Sequence, residues 1–184
     1  HGREAARRVH VLAVAAVAPA SRKDPAFLFS RVKHERRSGN YKEAARLLLQ
    51  APRDASKLVL PDEWWVEQRI VSRHLIDIGD ARTAYKVAAR HLAASPAKVA
   101  EAEFHAGWYA LRFLKDARTA RKHFERILQV SSRPISQARG HYWMARASSG
   151  ATARKHFKAA AQYTGTFYGQ LAAARLGVKR LTVS

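Results

Sequence analysis

Apolar residues along this chain recur at helical spacing, in segments separated by short polar or glycine-containing turns. The pattern predicts first helices at about 26–38, 63–78, 99–114 and 135–148, and second helices at about 41–50, 80–94, 116–130 and 151–162. A last helix is expected at about 166–176, stopped by Gly177. Pro61, Pro96 and Pro134 punctuate the joints between pairs, and the longest connection is "APRDASKLVLP", 51–61. A separate apolar run, "VHVLAVAAVA" from Val9 to Ala18, is too short to cross a bilayer, which takes about 20 residues. It mimics a secretory signal, with "RR" before it and "APAS" after it. Because the chain starts at His1-Gly2, the run is read instead as the last helix of a preceding repeat, within 1–25. The start is then expected to be a cut into a larger protein.

The pairs repeat. "TARKHF" at 119–124 returns at 152–157, and anchor alanines at 44, 84, 120 and 153 lie about 40, 36 and 33 residues apart. Periods of this size signal stacked helix pairs. The fold class expected is all-α, a tetratricopeptide-like αα-hairpin superhelix, with four pairs over 26–165 and a final helix and linker over 166–184. The third unit fits best. Phe104 and Leu111 take the large slots of its first helix, Asp116 stands at the turn, and Ala120 is the small residue at the close contact. Phe124 lies one turn beyond Ala120 and fills the groove beside it. One pair cannot bury its apolar face alone, so pairs must stack. The fourth unit departs: its hairpin "RASSGATA" reads as shorter than its sisters, and a different packing angle is expected there.

Composition agrees with helices. Apolar residues make up 47% of 184, with only 9 Gly and 6 Pro to interrupt them. There is no cysteine, which excludes a disulfide framework, a thiolate nucleophile and a cysteine-ligated metal. The charge is the unusual feature: 34 Lys and Arg against 14 Asp and Glu, formally +20. Such a field draws polyanions, whether nucleic acid, anionic lipid or an acidic cell-wall polymer. The other reading is a solvated surface with heavy arginine usage.

Four segments together bear a resemblance. "DEWWVEQRIVSRHLIDIGDARTAYKVAARH" (62–91), "AEFHAGWYALRFL" (102–114), "PISQARGHYWMARA" (134–147) and "TFYGQLAAARLG" (166–177) resemble, in this order, the helical region of soluble lytic murein transglycosylases. The resemblance implies a periplasmic protein of peptidoglycan turnover, whose helices form a curved superhelix or ring. It implies a lysozyme-like catalytic domain after the last helix, with Tyr168 at the joint. The partners implied are peptidoglycan glycan strands and that C-terminal domain; nucleic acid is not the expected partner. The family cuts the glycan without water, using a glutamate followed directly by serine. None of the eight glutamates here is followed by serine, and "GLMQ" and "AYNAG" type segments are absent. No catalytic residue carries over, and the chain alone is expected to be inactive.

The remaining residues suggest binding rather than chemistry. Glycoside cleavage needs a carboxylic acid of raised pKa at the glycosidic oxygen. The acids here sit beside bases on their own helices, as Glu67 with Arg69 and Glu125 with Arg126. The nine histidines form no convincing ligand pair, and His123 and His156 occupy equivalent repeat places, so neither a metal nor a cofactor is called for. Trp64, Trp65, Trp108 and Trp143 read as core or joint packing. In tetratricopeptide phasing, places 5, 9 and 12 of each first helix point inward. These are Phe29, Lys33 and Arg36; Arg69, Arg73 and Ile76; His105, Tyr109 and Arg112; then Tyr142 and Arg146. Guanidinium groups there could pair with carboxylates of the cell-wall polymer, and tyrosines could stack on sugars. Alternatively, each arginine satisfies a neighbouring acid or helix end.

Overall fold

The computed structural model describes residues 24–177, together with the isolated positions 2, 4, 5, 8, 9 and 21. The expected end of a preceding repeat (1–25) and the linker after 177 therefore lie, but for those positions and Asp24 and Pro25, outside the described residues. The chain is all-α, with no strand among the described residues. The helices are α1 (Pro25–Arg37), α2 (Tyr41–Leu48), α3 (Pro61–Asp77), α4 (Ala81–Ala89), α5 (Pro96–Arg112), α6 (Ala117–Val130), α7 (Pro134–Arg146), α8 (Gly150–Ala161) and α9 (Phe167–Arg175). A short 3₁₀ turn, Ala55–Lys57, sits in the long connection before α3.

Local chemistry sets these boundaries. Each of α1, α3, α5 and α7 begins with proline in its first turn, where a missing N–H costs nothing. The joint prolines are thus helix starts. Two of the second helices begin instead with an aspartate cap: Asp80 Oδ1 accepts from Thr83 N (3.2 Å) and Asp116 Oδ1 from Thr119 N (2.9 Å). Two of the hairpins turn through a glycine in the left-handed region, Gly39 at φ +80° and Gly79 at φ +85°. The α5–α6 hairpin places Lys115 there, at φ +58°, and its Nζ donates to the Arg112 carbonyl (2.8 Å). α4 ends at Ala89, short of the expected 94, because Asp62 at the start of α3 accepts from Ala94 N (2.8 Å) and Ser95 N (3.2 Å). Those bonds draw the chain out of the helix.

Connections this short leave consecutive helices antiparallel. Each helix packs on the next, and the first helices also pack on one another: α1 on α3, α3 on α5, α5 on α7, and α7 on α9. The fourth hairpin is not shortened at its turn. Its connection Ala147–Ser149 matches Ser38–Asn40 and Ile78–Asp80, and the missing length lies in the helix, α7 having 13 residues against 17 in α3 and in α5.

The core runs continuously through the stack, with Tyr85 and Trp108 touching both its halves. Trp64, Trp65, Ala120 and Phe124 are buried in it. The close approach of α5 and α6 rests on a residue beyond the anchor alanine. A Cβ at Gly107 would lie 2.6 Å from the Phe124 ring, so that glycine makes the room Phe124 fills. Gly169 does the same at the start of α9. A Cβ there would lie 2.0 Å from the Tyr163 carbonyl oxygen, while Thr166 Oγ1 accepts from Gly169 N (3.0 Å) and donates to that carbonyl (2.8 Å).

Candidate anion-binding face on the first helices

The inward slots divide into two groups. In the first half, two of the inward arginines, Arg36 and Arg69, are already answered. Arg36 on α1 forms a fork with Glu67 on α3 (Nε–Oε2 2.5 Å, Nη2–Oε1 2.9 Å). The Glu67 bond raises the Arg36 guanidinium pKa further. One step along, Arg69 on α3 donates to Glu101 Oε1 on α5 (2.6 Å), and Trp65 Nε1 donates to Glu101 Oε2 (3.0 Å). Burial works to raise the Glu101 carboxyl, but Trp65 and Arg69 outweigh it and hold it below its ordinary value. The same rung is therefore built twice, tying each first helix to the next. Glu67 pairs across the stack with Arg36, not with Arg69 on its own helix. Positions i and i+2 of a helix face different directions, so that local pair was never available. Glu125 likewise makes no pair with Arg126, which instead reaches Gln129 (3.5 Å).

Lys33 lies with its Nζ 5.3 Å over the Phe29 ring, and Arg73 and Arg112 are exposed. The tyrosines do not present rings to solvent. Tyr109 is buried against α3, its hydroxyl 3.3 Å from Ser72 Oγ, and Tyr142 is buried with its hydroxyl accepting from Arg146 Nη1 (3.2 Å). Their large rings fill the joints between first helices, which removes them as sugar platforms. Tyr168 packs on α7, its ring 5.2 Å from Tyr142 and 6.3 Å from Trp143, while its neighbour Phe167 is exposed.

In the second half the cations lack acids. No Asp or Glu follows Glu125 in the sequence, so α7, α8 and α9 carry none. Arg146 rests over the Trp143 ring (5.7 Å). Arg139, which the slot phasing did not include, lies half-buried over the Phe104 ring of α5 (4.6 Å). Its Nε is buried and meets no acceptor among the described residues. The acid-free stretch from 126 onward was the sequence signal that could have singled it out.

Two histidine clusters also separate the halves. Glu103 on α5 accepts from His123 Nδ1 on α6 (2.6 Å), with His91 Nε2 at 3.3 Å and the Tyr85 hydroxyl 3.1 Å from His123 Nε2. Burial acts to raise the Glu103 carboxyl, yet the two imidazoles prevail and hold it at about 2. That is the reverse of what a glycosidic acid requires. His156, in the place equivalent to His123, instead faces His141 on α7, Nδ1 to Nδ1 at 3.0 Å. Burial pushes both of these imidazoles down, as does His156 for His141 and Lys155 for His156. Among the described residues, no group of three or more His, Asp or Glu is arranged to hold a metal ion, and no helix is long and apolar enough to cross a membrane.

No family model, no curated protein and no solved structure matches the chain.

Proposed function

We propose that this chain is the non-catalytic, tetratricopeptide-like superhelical part of a periplasmic soluble lytic transglycosylase. It holds peptidoglycan glycan strands and seats a lysozyme-like domain beyond the last helix. The reading draws on the four segments of family-like sequence and on the run of helix pairs along which they fall. The observation that carries the binding role is the set of cations on the first helices that meet no carboxylate: Arg73, Arg139 and Arg146, next to the acid-free helices α7–α9. A surface lined with one sign of charge focuses its field and concentrates an acidic polymer. Peptidoglycan carries its carboxylates at intervals, so successive repeats can each meet one. Each exposed contact contributes about 1 kcal/mol or less, so retention depends on several acting together. Tyr168 serves the domain joint indirectly, by fixing α9 on α7 and leaving Phe167 outward.

Pelleting with purified sacculi at about 0.15 M salt tests the reading, with a duplex DNA of matched charge as competitor. The chain should co-sediment with sacculi and resist the competitor, and it should release no anhydro-muropeptides detectable by mass spectrometry. Binding to DNA without binding to sacculi would replace this reading with a basic nucleic-acid-binding scaffold.

A further inference from the structure

The rungs between first helices follow a rule that breaks at α5–α7. Arg36 meets Glu67 and Arg69 meets Glu101, but Arg139 meets neither an acid nor any hydrogen-bond acceptor among the described residues. A half-buried guanidinium left without a carboxylate costs stability, and burial depresses the pKa of Arg139 accordingly. The Tyr168 hydroxyl on α9 opposes this, and Glu101, the one acid that acts on it, adds a weaker pull. Both Glu101 oxygens are already engaged, Oε1 by Arg69 and Oε2 by Trp65, with Lys98 Nζ at 3.6 Å. Phe104 holds the guanidinium by a cation–π contact, its Cζ 4.6 Å from the ring centroid, without using its hydrogen-bond donors.

His105 stands beside it. Its Nδ1 is 2.8 Å from the Glu101 carbonyl, so Nδ1 carries the proton and Nε2 is left for another partner. Burial pushes the His105 pKa down, the Glu101 carbonyl and charge oppose this, and Arg139 and Arg73 push it down further. Arg73 on α3 is exposed, and its charge acts on His105. Arg139 thus lies over Phe104, whose ring is 5.5 Å from that of His105, and the charges of Arg139 and Arg73 both act on His105 from the two flanking first helices.

We propose that Arg139, His105 and Arg73 form an anion site between α3, α5 and α7 that receives one carboxylate or phosphoryl group of a ligand. The ligand oxygens take the position that Glu67 and Glu101 take on the earlier rungs. The proposal deepens the binding role given above and relies on it only for which polymer bears the anion.

The site is tested on the whole chain by NMR, following the His105 imidazole through a pH titration. Sodium phosphate, sodium acetate and N-acetylmuramic acid are each compared with sodium chloride at equal ionic strength. An oxyanion bound between the three cations should raise the His105 pKa by about 1 unit. Arg139→Gln should abolish that rise, and exposed Arg118→Gln on α6 should keep it. Should Arg139→Gln fail to fold, Arg139→Lys keeps the charge but not the fork, and should weaken the response at least tenfold. A response confined to phosphate assigns a phosphoryl ligand, and one to acetate and N-acetylmuramic acid assigns a carboxylate. An unchanged His105 pKa in all the oxyanions, or an equal rise in the Arg139 variants, overturns the proposal. Sacculus binding is scored separately: if it fails while His105 responds, the peptidoglycan reading falls and the anion site stands.

Discussion

Between α1 and α5, Arg36 and Arg69 are structural, with Arg73 alone of the inward arginines on α1 and α3 left open; between α5 and α9, Arg139 and Arg146 are both left open. The two regions use the same helix pair and the same kind of inward arginine. They differ in whether the neighbouring first helix carries a glutamate at the facing position. Where it does, at Glu67 and Glu101, the arginine becomes a rung between repeats. Where it does not, as at Arg139, the guanidinium settles over an aromatic ring and keeps its hydrogen-bonding capacity unused. In such a stack a missing acid marks an open cation better than a present arginine does.

The largest test of that contrast removes one partner from each kind of site. Glu67→Ala strands Arg36 beside a buried position and should cost about 3 kcal/mol in urea denaturation. Arg139→Met removes a charge that has no partner, and should leave stability unchanged or raise it by about 1 kcal/mol. Equal losses would erase the distinction between the halves.

Packing offers a smaller contrast. Gly107→Ala pushes a methyl into the Phe124 ring, which is buried and cannot retreat, and should cost about 2–3 kcal/mol. Gly140→Ala meets chiefly the end of the flexible Leu128 side chain (2.7 Å), and should cost about 1 kcal/mol. Thermal melts of the two variants order them.

The histidine clusters should give way at different pH. Protonating His141 and His156 is disfavoured in the fold, so the unfolded chain binds the extra protons. Their contribution is complete above the ordinary histidine value of 6.5 and declines as pH falls below it. His105, also lowered, adds to the same window. Glu103 is a depressed carboxyl: its contribution is present above 4.5 and is lost as pH falls toward about 2. Hydrogen-exchange protection in α8, corrected for the intrinsic rate, should therefore fall as pH drops below about 6.5, before that in α6 does. His156→Gln should flatten the upper step, and Glu103→Gln the lower one.

The smallest effect is at a turn. Lys115 occupies the left-handed conformation that Gly39 and Gly79 adopt in the earlier hairpins, so Lys115→Gly should gain about 0.5–1 kcal/mol in the same denaturation assay.

Much of the fold was legible in the sequence, because its signals are local. Prolines mark the starts of α3, α5 and α7, aspartates cap α4 and α6, and the recurrence of Ala120 and Phe124 placed them in the core. The end of α4 was not, because it depends on Asp62 across the pair. The site was legible only in part. Arg36 to Glu67 and Arg69 to Glu101 are 31 and 32 positions apart, so reading acids against near neighbours on one helix paired Glu67 with the wrong arginine. The slot assignment put His105 and Arg73 on inward places and made Tyr109 and Tyr142 binding residues, whereas the bulk of those tyrosines is buried between helices. It missed Arg139, which the absence of acids after Glu125 would have flagged.

The most direct test of the central claim compares two triple variants in sacculus pelleting at matched net charge. Arg73→Gln, Arg139→Gln and Arg146→Gln together should abolish most binding while leaving the helical circular dichroism intact. Lys86→Gln, Arg118→Gln and Lys122→Gln together remove three exposed charges of second helices and should bind nearly as the parent does. If both variants lose binding equally, bulk charge alone accounts for the affinity and the open cations of the first helices are not a site.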